Sequence, residues 1–271
     1  MTKTAAAVRE GSRALLLGSR RIATTRGARV LACADPGRGC LAFPAFSAST
    51  LCGVPDLPFS DDTAGRGAAV PLAVGFDLDL TLADTRAGIG AVYAALAAET
   101  GVPIDTGQVV RRIGPPLEVE LGYWFQPGEV PEMAARYRAM YADIAIPATV
   151  LMPGATAALE AVRARGGRVI VVSGKNQADT ERTVRYLGLE VDAVVGGLFG
   201  SDKGAALREH GAHAYIGDHT GDVDAARAAS AVAVAVATGS FDSAALTAYG
   251  ADVVLPDLHP FPGWLGDFAA A

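Results

Sequence analysis

From position 70 onward, short apolar runs alternate with longer stretches of helical spacing. Runs of strand length fall at residues 72–76, 168–172, 193–195, 214–216, 232–236 and 252–255. Between them, residues 155–165 and 222–229 carry helical patterns. Strands and helices in alternation predict an α/β fold. Right-handed crossovers then build a doubly wound, Rossmann-like parallel sheet.

One interval breaks this rhythm. Residues 85–149 carry no strand signal but several helical ones. Ile89, Val92 and Leu96 recur at helical spacing, and Asp105 with Gln108 three residues on forms an N-cap pair that opens a helix through Arg111. Residues 131–141 read as a further helix with Pro131 at its start. The pattern therefore predicts a small α-helical unit, residues 86–149, inserted after the first core strand, with the core made of residues 70–85 and 150–271.

Residues 1–69 differ in kind. They are rich in Ala, Arg, Gly and Ser, with no sustained apolar period, and are read as a disordered or spurious N-terminal extension. Seven Lys/Arg against one acid in the first 34 residues resembles a transit peptide; a start assigned too far upstream is the competing explanation, and the disordered or spurious reading is preferred to a functional one. Charge divides at the same boundary. Residues 1–70 hold nine Lys/Arg and five Asp/Glu, whereas the rest of the chain holds 14 and 24. An acidic body argues against general nucleic-acid binding, and no run reaches the roughly 18 apolar residues that would span a membrane. Cys33, Cys40 and Cys52 lack metal-ligand spacing, and the body has no cysteine, which fits a reduced, cytoplasmic enzyme.

The chemistry starts where the first apolar run ends, in Gly75-Phe76-Asp77-Leu78-Asp79-Leu80-Thr81. Side chains two apart on an extended segment point the same way. Asp77 and Asp79 would then stand together at the carboxyl end of a strand, where open α/β sheets bind ligands. Two adjacent carboxylates there are costly without a cation. The pair suits a divalent metal, a carboxylate nucleophile and a neighbouring acid/base. Further along come Ser173 at a second strand end, a lone Lys203, and Gly217-Asp218-His219-Thr220-Gly221-Asp222 after a third.

These four motifs, in this order, resemble the haloacid dehalogenase-like superfamily of aspartate-nucleophile phosphatases. The helical insert, with its Gly114-Pro115-Pro116 turn, resembles the cap of the phosphoglycolate phosphatase-like branch. The resemblance implies that Asp77 is the nucleophile and that Asp79 protonates the leaving oxygen and later activates water. It implies a Mg²⁺ site made by Asp77, the main-chain carbonyl of Asp79, and Asp218. Asp222 supports that site or orients Lys203, and Ser173, Gly174 and Lys203 hold the phosphate. Members that dehalogenate lack an acid at the position of Asp79, so dehalogenation is disfavoured.

Charge counting agrees. Asp77, Asp79, Asp218 and Asp222 with a phosphate dianion far outnumber Lys203, and a divalent ion is needed to offset them. Gly174-Lys175 is not a nucleotide P-loop, because Val169 and Asn176 stand where that motif needs Gly and Ser or Thr. Lys175 is read as an exposed lysine at a helix start. Arg112, just before the Gly114 turn, is a candidate contact for a second anion on the substrate. Leu80 and the Ser173-Gly174-Lys175-Asn176 run depart from the commonest family pattern.

The expected function is Mg²⁺-dependent hydrolysis of a small phosphorylated metabolite through an aspartyl-phosphate, with phosphoglycolate the first candidate. Nucleoside 5′-monophosphate hydrolysis, pyrophosphate hydrolysis and sugar-phosphate mutase activity are alternatives within the superfamily. A catalytically idle sensor of phosphorylated metabolites is the alternative from another class.

Overall fold

The computed structural model describes residues 71–270; the expectation for residues 1–69 lies outside them. Eight strands and ten α-helices are formed there. Six strands make one parallel sheet, in the order β5 (Ala193–Val195), β4 (Arg168–Val172), β1 (Ala73–Phe76), β6 (Ala214–Gly217), β7 (Val232–Val236), β8 (Val253–Leu255). The chain runs outward from β1 through β4 to β5, then returns to β6 on the other side of β1. The strand order therefore reverses at β1, and the crevice at its carboxyl end is where such sheets bind ligands.

Alternation along each strand sorts the core onto two faces. Val74, Phe76, Val169, Val171, Ile216 and Val234 pack with α5 (Ala155–Arg163) and α10 (Phe261–Ala270). Ala73, Ile170, Val172, Tyr215 and Ala233 pack on the other face with α7 (Lys203–Glu209) and α8 (Thr220–Ala229). No helix among the described residues is long and apolar enough to cross a membrane.

The insert begins and ends at a feature too short to show as a sequence period. Strands β2 (Ala83–Asp84) and β3 (Val150–Leu151) pair antiparallel. Between them lie α1 (Arg86–Thr100), α2 (Thr106–Arg111), α3 (Leu117–Leu121) and α4 (Val130–Ile144). The Asp105 carboxylate accepts the Gln108 backbone N–H at 3.0 Å, and the Gln108 side chain returns a hydrogen bond at 2.8 Å. Ile89, Val92, Tyr93 and Leu96 of α1 bury their common face against Met133, Tyr137 and Tyr141 of α4. Leu80, from the turn after β1, is buried in this same cluster. Its φ of 60° is left-handed, a conformation that costs a residue with a Cβ about 1–2 kcal/mol.

Candidate active site

Asp77 directly follows β1, and its N–H continues the ladder by donating to the Ile216 carbonyl at 2.8 Å. The turn that follows folds back on itself: the N–H groups of Leu82 and Ala83 both reach the Leu78 carbonyl, at 3.0 and 2.9 Å. This tight return brings Thr81 over Asp218, whose Oδ1 accepts the threonine hydroxyl at 3.0 Å.

Lys203 opens α7 and is buried. Its Nζ donates to Asp77 Oδ1 at 3.0 Å, Asp222 Oδ1 at 2.7 Å and the Tyr215 hydroxyl at 2.9 Å. Tyr215 in turn donates to the Val172 carbonyl at 2.6 Å. All three ammonium donors thus point at fixed acceptors. Asp222 is equally constrained, since its Oδ2 accepts the His219 N–H at 3.1 Å while the His219 ring accepts from Gly221 at 2.9 Å, capping α8. This return is tight enough that a Cβ on Gly217 would fall 2.3 Å from the Asp222 carboxylate.

One carboxylate oxygen from each of Asp77, Asp218 and Asp222 lies within 4.8 Å of the others, and all three residues are buried. Burial pushes the Asp77 carboxyl up to about 6; Lys203 opposes this, while Asp222 and Asp79 add to it. Burial, then Asp222 and Asp77, hold the Asp218 carboxyl well above the usual range. Crowded oxygen donors with too little positive charge among them are what a hard divalent cation binds, so these residues fit Mg²⁺. Both oxygens of Asp222 already have partners, which leaves it placed to orient Lys203.

Asp79 lies apart from that triad. Its Oδ2 pairs with Lys175 Nζ at 2.9 Å, and its Oδ1 is buried without a partner. Lys175 corrects the sequence-based expectation. Its side chain is only 8% exposed, and the helix α6 (Gln177–Tyr186) begins beyond it, capped by Asn176. Burial works against the Lys175 charge, but Asp79 and Tyr141 beside it outweigh this and hold its pKa above the ordinary lysine value. Its signal was the position two residues after Ser173, just beyond a strand end; its partners are fixed only by tertiary structure. Ser173 is buried at the end of β4, where its hydroxyl accepts the Lys175 N–H at 3.3 Å.

Asp77, Asp79, Ser173, Lys175, Lys203 and Asp222 line a cavity of about 350 Å³ between the sheet edge and the insert, together with Gly174, His219, Tyr93, Tyr137 and Tyr141. The hydroxyls of Tyr93 and Tyr141 are buried without partners. Arg112 also lines the cavity, but it is not a free cation. Its Nε and Nη2 grip the Glu120 carboxylate at 2.9 and 2.6 Å, and its guanidinium lies 4.4 Å from the Tyr123 ring centre. Sequence reasoning passed over Thr81, Glu120, Tyr141 and Tyr215 as well. Tyr215 had a visible signal, as a tyrosine within an otherwise apolar buried strand needs a partner for its hydroxyl.

Comparison with known proteins supports the same region. The family model described as haloacid dehalogenase-like hydrolase matches residues 74–227. Among curated relatives, the tyrosine-protein kinase PtkA of Mycobacterium tuberculosis is 28% identical over 62% of this chain. The match spans 63% of that protein's length. A phosphoglycolate phosphatase of Rhodospirillum rubrum is 29% identical over 73% of this chain and 92% of its own. A haloacid dehalogenase-like family hydrolase from Streptococcus pneumoniae shares the fold, with a TM-score of 0.64 at 23% identity over 73% of this chain and 98% of that one.

Proposed function

We propose a function from one premise: the chain belongs to the haloacid dehalogenase-like hydrolase family. Its reaction is Mg²⁺-dependent hydrolysis of a small phosphomonoester in the cytoplasm, through an aspartyl-phosphate on Asp77. The observation that carries this is the buried Asp77 carboxylate, held by Lys203 at the cavity floor beside Asp218 and Asp222. Phosphate monoesters hydrolyse extremely slowly in water, and a positioned carboxylate replaces water as the attacking group.

Asp77 Oδ2 attacks phosphorus, the ester P–O bond breaks, and Asp79 gives its proton to the departing oxygen. Asp79 then takes a proton from water as that water opens the acyl phosphate. Ser173 donates to a phosphoryl oxygen, Lys203 fixes Asp77 and offsets the phosphoryl charge without a hydrogen bond of its own to it, and Thr81 fixes Asp218. Mg²⁺, held by Asp77, the Asp79 carbonyl and Asp218, would neutralise charge on the phosphoryl group.

Phosphoglycolate is the first substrate to test, because the relative of that name aligns over 92% of its length against 63% for the kinase. The deciding experiment is steady-state turnover of p-nitrophenyl phosphate and phosphoglycolate by the purified chain with Mg²⁺. Absence of turnover on both would refute the reading.

A further inference from the structure

Lys175 and Asp79 are paired outside the carboxylate triad, and the fold secures that pair from several sides. The Lys175 carbonyl accepts from Gly197 N–H at 2.7 Å and from the Thr180 hydroxyl at 3.0 Å, so its backbone is pinned between the β5 and α6 ends. The side chain then runs under the insert, where the ammonium sits 4.5 Å from the centre of the Tyr141 ring on α4 and 2.9 Å from Asp79 Oδ2. Three separate segments meet at this one nitrogen. The ammonium holds one oxygen of Asp79, and the other is buried with no partner. With Oδ2 taken up by a donor, Oδ1 is the oxygen left to carry a proton.

We propose that Lys175 is the positioning residue for Asp79: it fixes the carboxyl so that its free oxygen meets the departing oxygen of the substrate, with Tyr141 of the insert holding Lys175 in turn. The inference rests on the reading of Asp79 as the proton donor. Without Lys175, Asp79 would be free to rotate, and proton delivery in the first step would suffer. General acid assistance contributes about 10²- to 10⁴-fold, and it matters only where the leaving oxygen needs a proton. An alkoxide needs one; p-nitrophenolate leaves without it.

The test compares kcat/KM for an alkyl phosphate, glycerol 2-phosphate, with that for p-nitrophenyl phosphate, in wild type and Lys175→Met. Because kcat/KM extends only through the first irreversible step, it reads departure of the leaving group and not later hydrolysis of the acyl phosphate. Lys175→Met should lower the alkyl-to-aryl ratio by about 30-fold or more, and Tyr141→Leu should lower it by roughly 3- to 10-fold. An unchanged ratio, whether both substrates fall together or neither falls, overturns the proposal, since damage to folding or phosphate binding affects both esters alike. Placement is also read without turnover. In a crystal structure of Lys175→Met the Asp79 carboxyl should leave its present orientation, and an unmoved Asp79 overturns the inference. A wild type that hydrolyses neither ester would instead refute the proposed function, and that result is separate from where Asp79 points.

Discussion

Lys203 donates to Asp77 across 3.0 Å, and still burial pushes the Asp77 carboxyl up to about 6. The lysine is shared with Asp222, so it cannot neutralise the nucleophile alone. The site is short of positive charge by construction.

That shortage sets the pH dependence of stability. In the folded chain Asp77 titrates near 6, against about 3.8 when unfolded, so between these values the folded state binds the extra proton. Stability from this group is present below about 4 and is lost as pH rises through 6. A bound cation should remove the deficit. Thermal unfolding followed by circular dichroism should therefore show a larger rise in Tm on adding Mg²⁺ at pH 7.5 than at pH 5. An equal rise at both would argue against a cation among these carboxylates.

Asp77→Asn keeps the shape of the side chain and removes the nucleophile. It should lower kcat by roughly 10³-fold or more, with Tm no lower than that of wild type, because the raised carboxyl pKa marks a charge that burial disfavours. EDTA should abolish wild-type activity, and Mg²⁺ should restore it. Near-normal turnover by folded Asp77→Asn would exclude the aspartyl-phosphate route.

Tyr215→Phe deletes one of the three acceptors of Lys203 and leaves the Val172 carbonyl without its donor. A buried group left unpaired costs about 1–3 kcal/mol. Urea unfolding should show a loss of that size, together with a kcat reduction of roughly 3- to 10-fold from a less constrained Lys203. Stability and kcat both unchanged would mean that the Tyr215 hydroxyl is not what holds Lys203.

Arg112→Ala removes two of the three side-chain donors to Glu120, which is 8% exposed and keeps only the Trp124 indole N–H at 3.0 Å. If the substrate carries a second anion that reaches Arg112, kcat/KM for phosphoglycolate should fall about 10- to 100-fold and that for p-nitrophenyl phosphate much less. If Arg112 serves only Glu120, stability should fall by about 1–3 kcal/mol, and both substrates should be affected equally. Measuring the three quantities on one preparation separates these roles.

Leu80→Gly sets two effects against each other. Relief of the left-handed backbone gains about 1–2 kcal/mol, while emptying a buried leucine site costs about 2–5 kcal/mol. The side chain should win, for a net loss of about 1–3 kcal/mol in urea unfolding. A stabilised variant would show that Leu80 contributes little to the insert core.

Much of the sheet was legible because its strands are buried on both faces, and a continuous apolar run needs no partner to be recognised. The β4, β5 and β7 bounds fall where the apolar runs lie, and the Asp105–Gln108 cap is local chemistry within four residues. Strands β2 and β3, two residues each, are too short to carry a period. Lys175 was misread for a different reason. Its burial depends on Asp79 and Tyr141, which lie far away in sequence and approach it only through tertiary packing. The same holds for Arg112, whose charge could be seen but whose pairing with Glu120 could not.

The insert leaves and rejoins the core through two adjacent strands, Ala83–Asp84 and Val150–Leu151. Its ends therefore meet at one place, and the length of chain between them is unconstrained by the sheet. Such a junction acts as a port: another segment could be grafted between Asp84 and Val150 without altering the strand order. Leu80 limits that independence, as do the Lys175 contact with Tyr141 and the Ser240 hydroxyl on the Ile113 carbonyl, because Leu80 belongs by sequence to the nucleophile turn and by packing to the insert. A transplanted insert would have to bring its own socket for Leu80, or residue 80 would have to change with it, so the two parts are expected to be inherited as a matched pair.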